Sequence, residues 1–363
     1  MNVGSLGSAG DYSALARLIN DNNGIHARLD ALNSQISSGI KSQTYAGLGH
    51  DAVISLNLHP QIARLQTWQD NIDAATGRMA IAQTSLTQLQ QITTTFISAT
   101  NNLNGISPTG IDSTAAQARD ALLQVTNLLN AQDGSGAYVF AGQDTANPPI
   151  PNPDGITSSP FFQQIQSAVG QLSTFGGAGV AASTLATASS NAAGTSPFST
   201  YLSQPVSNLP APTIQVGEHQ TVAIGLFASG NSLVPSTGTS TTGSYMRDLM
   251  RGLATIASLS SSQAGDPNLQ TLIQDTRTSL QGALTAMANE AGVMGDRQSD
   301  LGTLKTNLGD TSDALTTQVG TAEDTDMASA LSKLAATQTQ LQASYQLIAS
   351  VTSLSLAKFL PAA

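Results

Sequence analysis

Cysteine is absent from the 363 residues. That excludes disulfides, thiol nucleophiles and thiolate metal sites from the available chemistry, and suits either the cytosol or an exported protein that never relies on disulfides. Aromatic residues supply only 4% of the chain and charged residues only 10%, against roughly 25% charge in an ordinary domain. The 40% hydrophobic content is carried largely by alanine, which fills thin helical seams better than one thick core. Basic residues are scarce and dispersed, 13 against 23 acidic ones for a net charge of −10. Binding nucleic acid needs clustered Lys and Arg, so nucleic acid is not an expected partner. No apolar run approaches the ~20 residues that span a bilayer, so membrane insertion is not expected. The first basic residue is Arg17 and no apolar stretch follows the start, so a conventional secretory signal is not expected either. A surface poor in charge and rich in Ser, Thr, Gln and Asn suits burial in an assembly.

Proline is missing from 1–59 and from 268–360. An interior proline costs a helix about 3 kcal/mol, so these are the stretches free to form long helices. What fills them is a pair of ladders. Ile273, Leu280, Met287, Met294, Leu301, Leu308 and Leu315 stand seven apart, a spacing that stays on one side of a helix only if it winds along a partner. Leu65, Trp68, Ile72, Ala75, Met79, Ala82, Leu86, Leu89, Thr93 and Phe96 alternate steps of three and four. Leu15, Leu18, Asn22, Ile25, Leu29, Leu32 and Ile36 do the same nearer the start, in a helix that should stop near Gly39. Loop-like sequence at 45–51 precedes a ladder expected to begin near Leu58. A shorter helix is predicted from Ser113 to Asn130, capped by Asp112 or Ser113. The last helix, from about Asp324 to Phe359, uses Met327, Leu331, Leu334, Gln338, Leu341, Tyr345 and Ile348, with Leu354 and Leu356 beyond.

Residues 148–245 differ in kind, being rich in Pro, Gly, Ser and Thr with only Asp154 and Glu218 charged. They read as a separate, small β-containing domain with short strands at 214–216 and 221–227, and with 176–200 as loop or linker. The fold class is therefore mainly α: long antiparallel coiled-coil rods formed by both chain ends, with a small β-containing domain inserted in the middle. The expected divisions are an N-terminal assembly helix at 1–45 pairing with 321–363, rod halves at 46–147 and 246–320, and the insert at 148–245.

Chemistry-bearing residues do not converge. Thr321 with Glu323, Asp324 and Asp326 resembles a capping arrangement at a helix start more than a cation site. His26, His50, His59 and His219 match no ligand spacing. The glycines at 176–179 lack the Gly-Lys-Ser/Thr end of a phosphate loop, and no nucleophile elbow occurs. Catalytic, cofactor and metal sites are accordingly none, and an enzyme is not expected. Asn22 and Gln338 interrupt seams otherwise filled by apolar residues. Either they lie on frayed, exposed turns, or they meet across an antiparallel pair and set its register.

The motif Gln35-Ile36-Ser37-Ser38-Gly39-Ile40-Lys41 with Asp51-Ala52 resembles the end of the first helix of bacterial flagellins and their hook-associated relatives. Asp324-Thr325-Asp326-Met327-Ala328, then Gln338 to Tyr345 and Leu354-Ser355-Leu356, is more similar to the hook-filament junction branch of that family. Gly136-Ala137-Tyr138-Val139-Phe140-Ala141-Gly142 and Gly295-Asp296-Arg297-Gln298 point the same way. The resemblance implies a structural subunit of the bacterial flagellum, exported by the flagellar apparatus to the outside of the cell, with filament flagellin as the alternative. It implies partners in other copies of itself, the hook-side junction protein, flagellin and an export chaperone. The assembly interface would use Leu15, Leu18, Asn22, Ile25, Leu29, Leu32 and Ile36, together with Leu331, Leu334, Gln338, Leu341, Tyr345, Ile348, Leu354 and Leu356.

Overall fold

The computed structural model describes the backbone of residues 7–103 and 107–357, and side chains within 16–103 and 107–350. Its helices are α1 (Gly7–Ser38), α2 (Tyr45–Leu48), α3 (Ala52–Asn102), α4 (Pro108–Leu129), α5 (Pro160–Gly170), α6 (Leu172–Ser189), α7 (Tyr245–Ala257), α8 (Leu269–Glu323) and α9 (Met327–Ala357). Strands β1 (Thr213–Gln215) and β2 (Thr221–Ala223) pair antiparallel, with Ile214 opposite Val222. The chain divides into two compact units, 1–65 with 310–363, and 66–309. Both long helices, α3 and α8, continue through the division.

In the unit of residues 66–309 the two ladders form one seam. Ile72, Met79, Leu86 and Leu89 of α3 are buried, as are Ile273, Leu280, Met287, Met294 and Leu301 of α8. The pair is antiparallel: Asp73 near the start of this stretch of α3 accepts from Lys305 Nζ at 2.6 Å, and Thr100 near its end accepts from Arg277. Fully burying a leucine contributes about 1.5–3 kcal/mol, so a few turns of such seam hold themselves together.

Helix α4 starts earlier than its spacing suggests. Ser107 caps it by accepting from Gly110 N, and Pro108 sits in the first turn, where its missing N–H costs nothing. Asp112, the expected cap, instead accepts from Ser261 N at 2.8 Å. Similarly α3 begins at Ala52 and runs through Pro60, so the segment at 45–51 is a short helical turn rather than plain loop.

Residues 148–245 do not form a unit by themselves; they share the core of 66–309. Part of the reason is the segment at 176–200, expected to be linker. Most of it is α6, bent at Gly176, whose φ of 72° is open to glycine and rarely to other residues. At Gly177 a Cβ would come within 2.5 Å of the Asn268 carbonyl, so only glycine allows this approach. Val180, Ala181, Thr184 and Ala188 then recur on the buried face, a small-residue helix held by packing rather than propensity. Helix α5, also unforeseen, is capped by Ser159 with Pro160 in its first turn and buries Phe161, Phe162, Ile165 and Val169.

The Tyr138–Gly142 motif joins rod to insert within this unit. Arg78 of α3 donates to the Tyr138 carbonyl at 2.7 Å, and Ala228 N donates to the Phe140 carbonyl at 2.9 Å. Phe227, expected at the end of the second strand, bridges Ala141 instead.

Candidate functional site

The unit of residues 1–65 and 310–363 is built around the packing of α1 on α9. Gly39, with φ of 76°, ends α1 where the sequence places the stop. On α1 the seam is as spaced: Ile25, Leu29 and Leu32 are buried, and Leu18, Asn22 and Ile36 are half-buried. The α9 side departs from expectation. Leu334, Leu341 and Ile348 are half-buried, but the row beside them that faces inward is Ala330, Thr337 and Ser344. Leu331 and Tyr345 are 51% and 48% exposed, and Gln338 between them is exposed too. Residues 331, 338 and 345 stand seven apart and so form one row, at the exposed rim beside the buried one. Small residues inside let the helices approach closely, while Leu331 and Tyr345 stay about half exposed at the rim. Met327, one turn before Leu331, is exposed on the same flank. Leu15, Leu354 and Leu356 lie outside the residues whose side chains are described.

The register of α1 on α9 is shown by His26 Nε2 and the Tyr345 hydroxyl, which share a hydrogen bond of 2.8 Å. Gln338 lies about two turns before Tyr345, so in an antiparallel pair it stands level with Asn33, not Asn22. Of the two alternatives for these residues, the Asn22–Gln338 pairing is not formed, and Gln338 is exposed. Asn22 Oδ1 is buried with no hydrogen-bond partner.

The break between α8 and α9 is clamped by a strip of backbone. Ile40 bridges Asp324, Lys41 N donates to the Glu323 carbonyl at 2.6 Å, and Thr325 N donates to the Gly39 carbonyl at 2.8 Å. Lys41 Nζ adds bonds to the Thr321 and Ala322 carbonyls, at the negative end of α8, and to Asp51 at 3.1 Å.

The acidic cluster divides its work. Asp326 caps α9 by accepting from Ala328 N and Ser329 N. Glu323 leaves capping altogether: its carboxylate accepts from the Ser55 hydroxyl and bonds His59 Nε2 at 2.9 Å. The Ser55 bond, with His59 adding to it, holds the Glu323 carboxyl below the usual range against a smaller opposing effect of burial. Thr321, placed with the cap from sequence, makes an ordinary helical bond to the Thr317 carbonyl. His26, Ser55 and His59 were not singled out as site residues by spacing. His26 follows the seam residue Ile25 directly, and that adjacency is the signal available in the sequence.

Strongly shifted groups elsewhere belong to the core of 66–309. Desolvation pushes the Tyr245 hydroxyl, Asp248 and Glu290 upward and Arg247 down to about 10. Glu290 accepts from three consecutive backbone N–H groups at 232–234, and Asp248 accepts from Thr241 and from Thr242 N. These bonds pin the segment before α7, a structural use for each carboxylate.

Residues 278–360 match the family of the bacterial flagellin C-terminal helical region. The solved structure of a candidate flagellar hook-associated protein from Vibrio parahaemolyticus is similar to this chain, with a TM-score of 0.50 and 11% identity. The likeness covers 75% of this chain and 97% of that one. At such identity the likeness is one of fold. No curated protein matches. Over residues 278–360 the sequence is similar to that region of bacterial flagellins.

Proposed function

We propose that the chain is a structural subunit of the bacterial flagellum, and specifically a hook-filament junction protein. The observation that carries this reading is the half-exposed row on α9. Leu331 and Tyr345 are about half exposed in the segment matched to flagellin, on the flank of a helix whose inner face is taken by α1, which Tyr345 reaches through its bond to His26. An apolar flank left half exposed beside a buried face is one that a further subunit can cover. Other axial subunits supply the cover in this reading: copies of the same chain, the hook-side junction protein below and flagellin above. Delivery through the flagellar export apparatus, with an export chaperone, places the protein outside the cell.

The fold shared with the Vibrio protein favours the junction role, whereas the family match alone suits filament flagellin equally well. Deleting the gene separates them. A junction role gives cells with intact hooks, no filament and flagellin shed into the medium. Filaments that persist on the deletion strain would remove the junction reading, and long regular filaments grown from the purified protein alone would promote flagellin in its place.

A further inference from the structure

Arg247 stands in the first turn of α7 and is only 6% exposed. A buried arginine ordinarily meets a carboxylate. This one meets none among the described residues at ion-pair distance; its neighbour Asp248 is turned to Thr241 and Thr242. Instead its Nε donates to the Ser229 carbonyl at 2.7 Å, Nη1 to the Ala188 and Ser190 carbonyls, and Nη2 to Asn191 Oδ1 at 2.6 Å. The guanidinium lies 5.1 Å from the centre of the Phe198 ring. All four acceptors are neutral, and the carbonyl end of α6 offers only about half an elementary charge. Asp248 acts on the guanidinium only at longer range, so the positive charge is buried without a direct ion pair.

That charge borders a cavity of about 190 Å³, between residues 189–191, 204–206, 229–230 and 242–244. Its walls are largely hydroxyl, amide and backbone: Ser189, Asn191, Gln204, Thr242 and Ser244. Ser229, 2% exposed and on the same wall, has a hydroxyl with no hydrogen-bond partner. The N-terminus of α7, the positive end of a helix, opens at Ser244. A cation without a direct ion pair, an unpartnered buried hydroxyl, polar walls and a helix N-terminus therefore meet at one small cavity.

We propose that this cavity binds a small oxyanion of phosphate size, with Arg247 as the charge partner and the walls as hydrogen-bond donors. The proposal is independent of the flagellar role. Calorimetric titration of the purified full chain with sodium phosphate, against sodium chloride at matched ionic strength, is the direct test. Saturable binding of one phosphate per chain is expected. Arg247→Gln should weaken it at least tenfold. Because that variant removes buried bonds and can unfold, Gln204→Glu supplies the second arm: the residue is exposed at the mouth, and an added negative charge there should weaken binding about fivefold without loss of helix content. Absence of saturable binding at tens of millimolar phosphate would overturn the proposal. So would phosphate binding that Gln204→Glu leaves unchanged, since the ion would then be held elsewhere and Arg247 would serve only to tie α6 to α7.

Discussion

Two helical seams in this protein follow the same spacing and end differently. Between α3 and α8, within 66–309, both partners contribute large residues, and Leu86, Leu89, Leu280 and Met287 lose all contact with water. Between α1 and α9 only α1 buries leucines; α9 turns Ala330, Thr337 and Ser344 inward and keeps Leu331 and Tyr345 about half exposed at the rim. A heptad stripe thus states that a helix has a partner, but not how many partners share its circumference. The first seam is complete within one chain, and the second holds apolar area in reserve.

The largest effect should come from truncating the complete seam. Leu280→Ala should cost about 2–5 kcal/mol, because the site is fully buried and close-packed. Leu341→Ala, half-buried in the other seam, should cost about 1 kcal/mol in the isolated chain. Urea midpoints measure both, and equal losses would break the contrast. The half-exposed row sharpens it further. Leu331→Ser with Tyr345→Ser should cost the isolated chain no more than about 1 kcal/mol, the exposed bond to His26 included, while abolishing incorporation into the flagellum in a complementation assay. A motile strain carrying both changes would show that the row is idle.

Long helices and their main stripe were legible because both rest on local spacing: every apolar position from Ile273 to Leu301 in the seven-residue series is buried, and Gly39 ends α1 as its position suggests. The α9 inward face was not legible. Rows 330/337/344 and 331/338/345 both repeat at seven, and the choice between them depends on what the partner offers. Ranking by side-chain size selects Leu331 and Tyr345, but close helix approach selects Ala330 and Ser344. Helix α6 was missed for a related reason. Its Gly, Ala, Ser and Thr have no strong local preference for helix, and the contact at Asn268 that holds it comes from far along the chain. Clamp contacts such as Lys41 on the end of α8 and Glu323 on Ser55 join residues more than 250 positions apart, a relation that no window of sequence contains.

A smaller effect concerns Asn22. An unpartnered buried amide oxygen costs roughly 1–3 kcal/mol, toward the lower end where the residue is only half-buried. Asn22→Leu should therefore raise the stability of the α1–α9 pair by about 1 kcal/mol, and Gln338→Leu, on the exposed row, should change it little. Because the two stand at different levels of the pair, their effects should add. A double-mutant cycle with a coupling above about 0.5 kcal/mol would show that they do meet.

The smallest expected effect distinguishes the two units by the sign of a pH response. Glu323 is held below its ordinary value, first by Ser55 and then by His59, so its contribution is present above pH 4.5 and is lost as the pH falls through the folded value. Glu290 is pushed above its ordinary value by burial, which outweighs the three backbone donors at 232–234. Its contribution is full below pH 4.5 and is lost as the pH rises through the folded value. Replacing each with glutamine removes the titration. The stability deficit of Glu323→Gln should shrink as the pH falls below 4.5, whereas the balance between Glu290→Gln and the unaltered chain should shift toward the variant as the pH rises above 4.5. Urea midpoints taken across pH 3 to 7 would measure both trends. Parallel curves for the two variants would mean that burial does not govern Glu290, and the 232–234 loop would then be held by its hydrogen bonds at every pH, as Glu323 is held by Ser55.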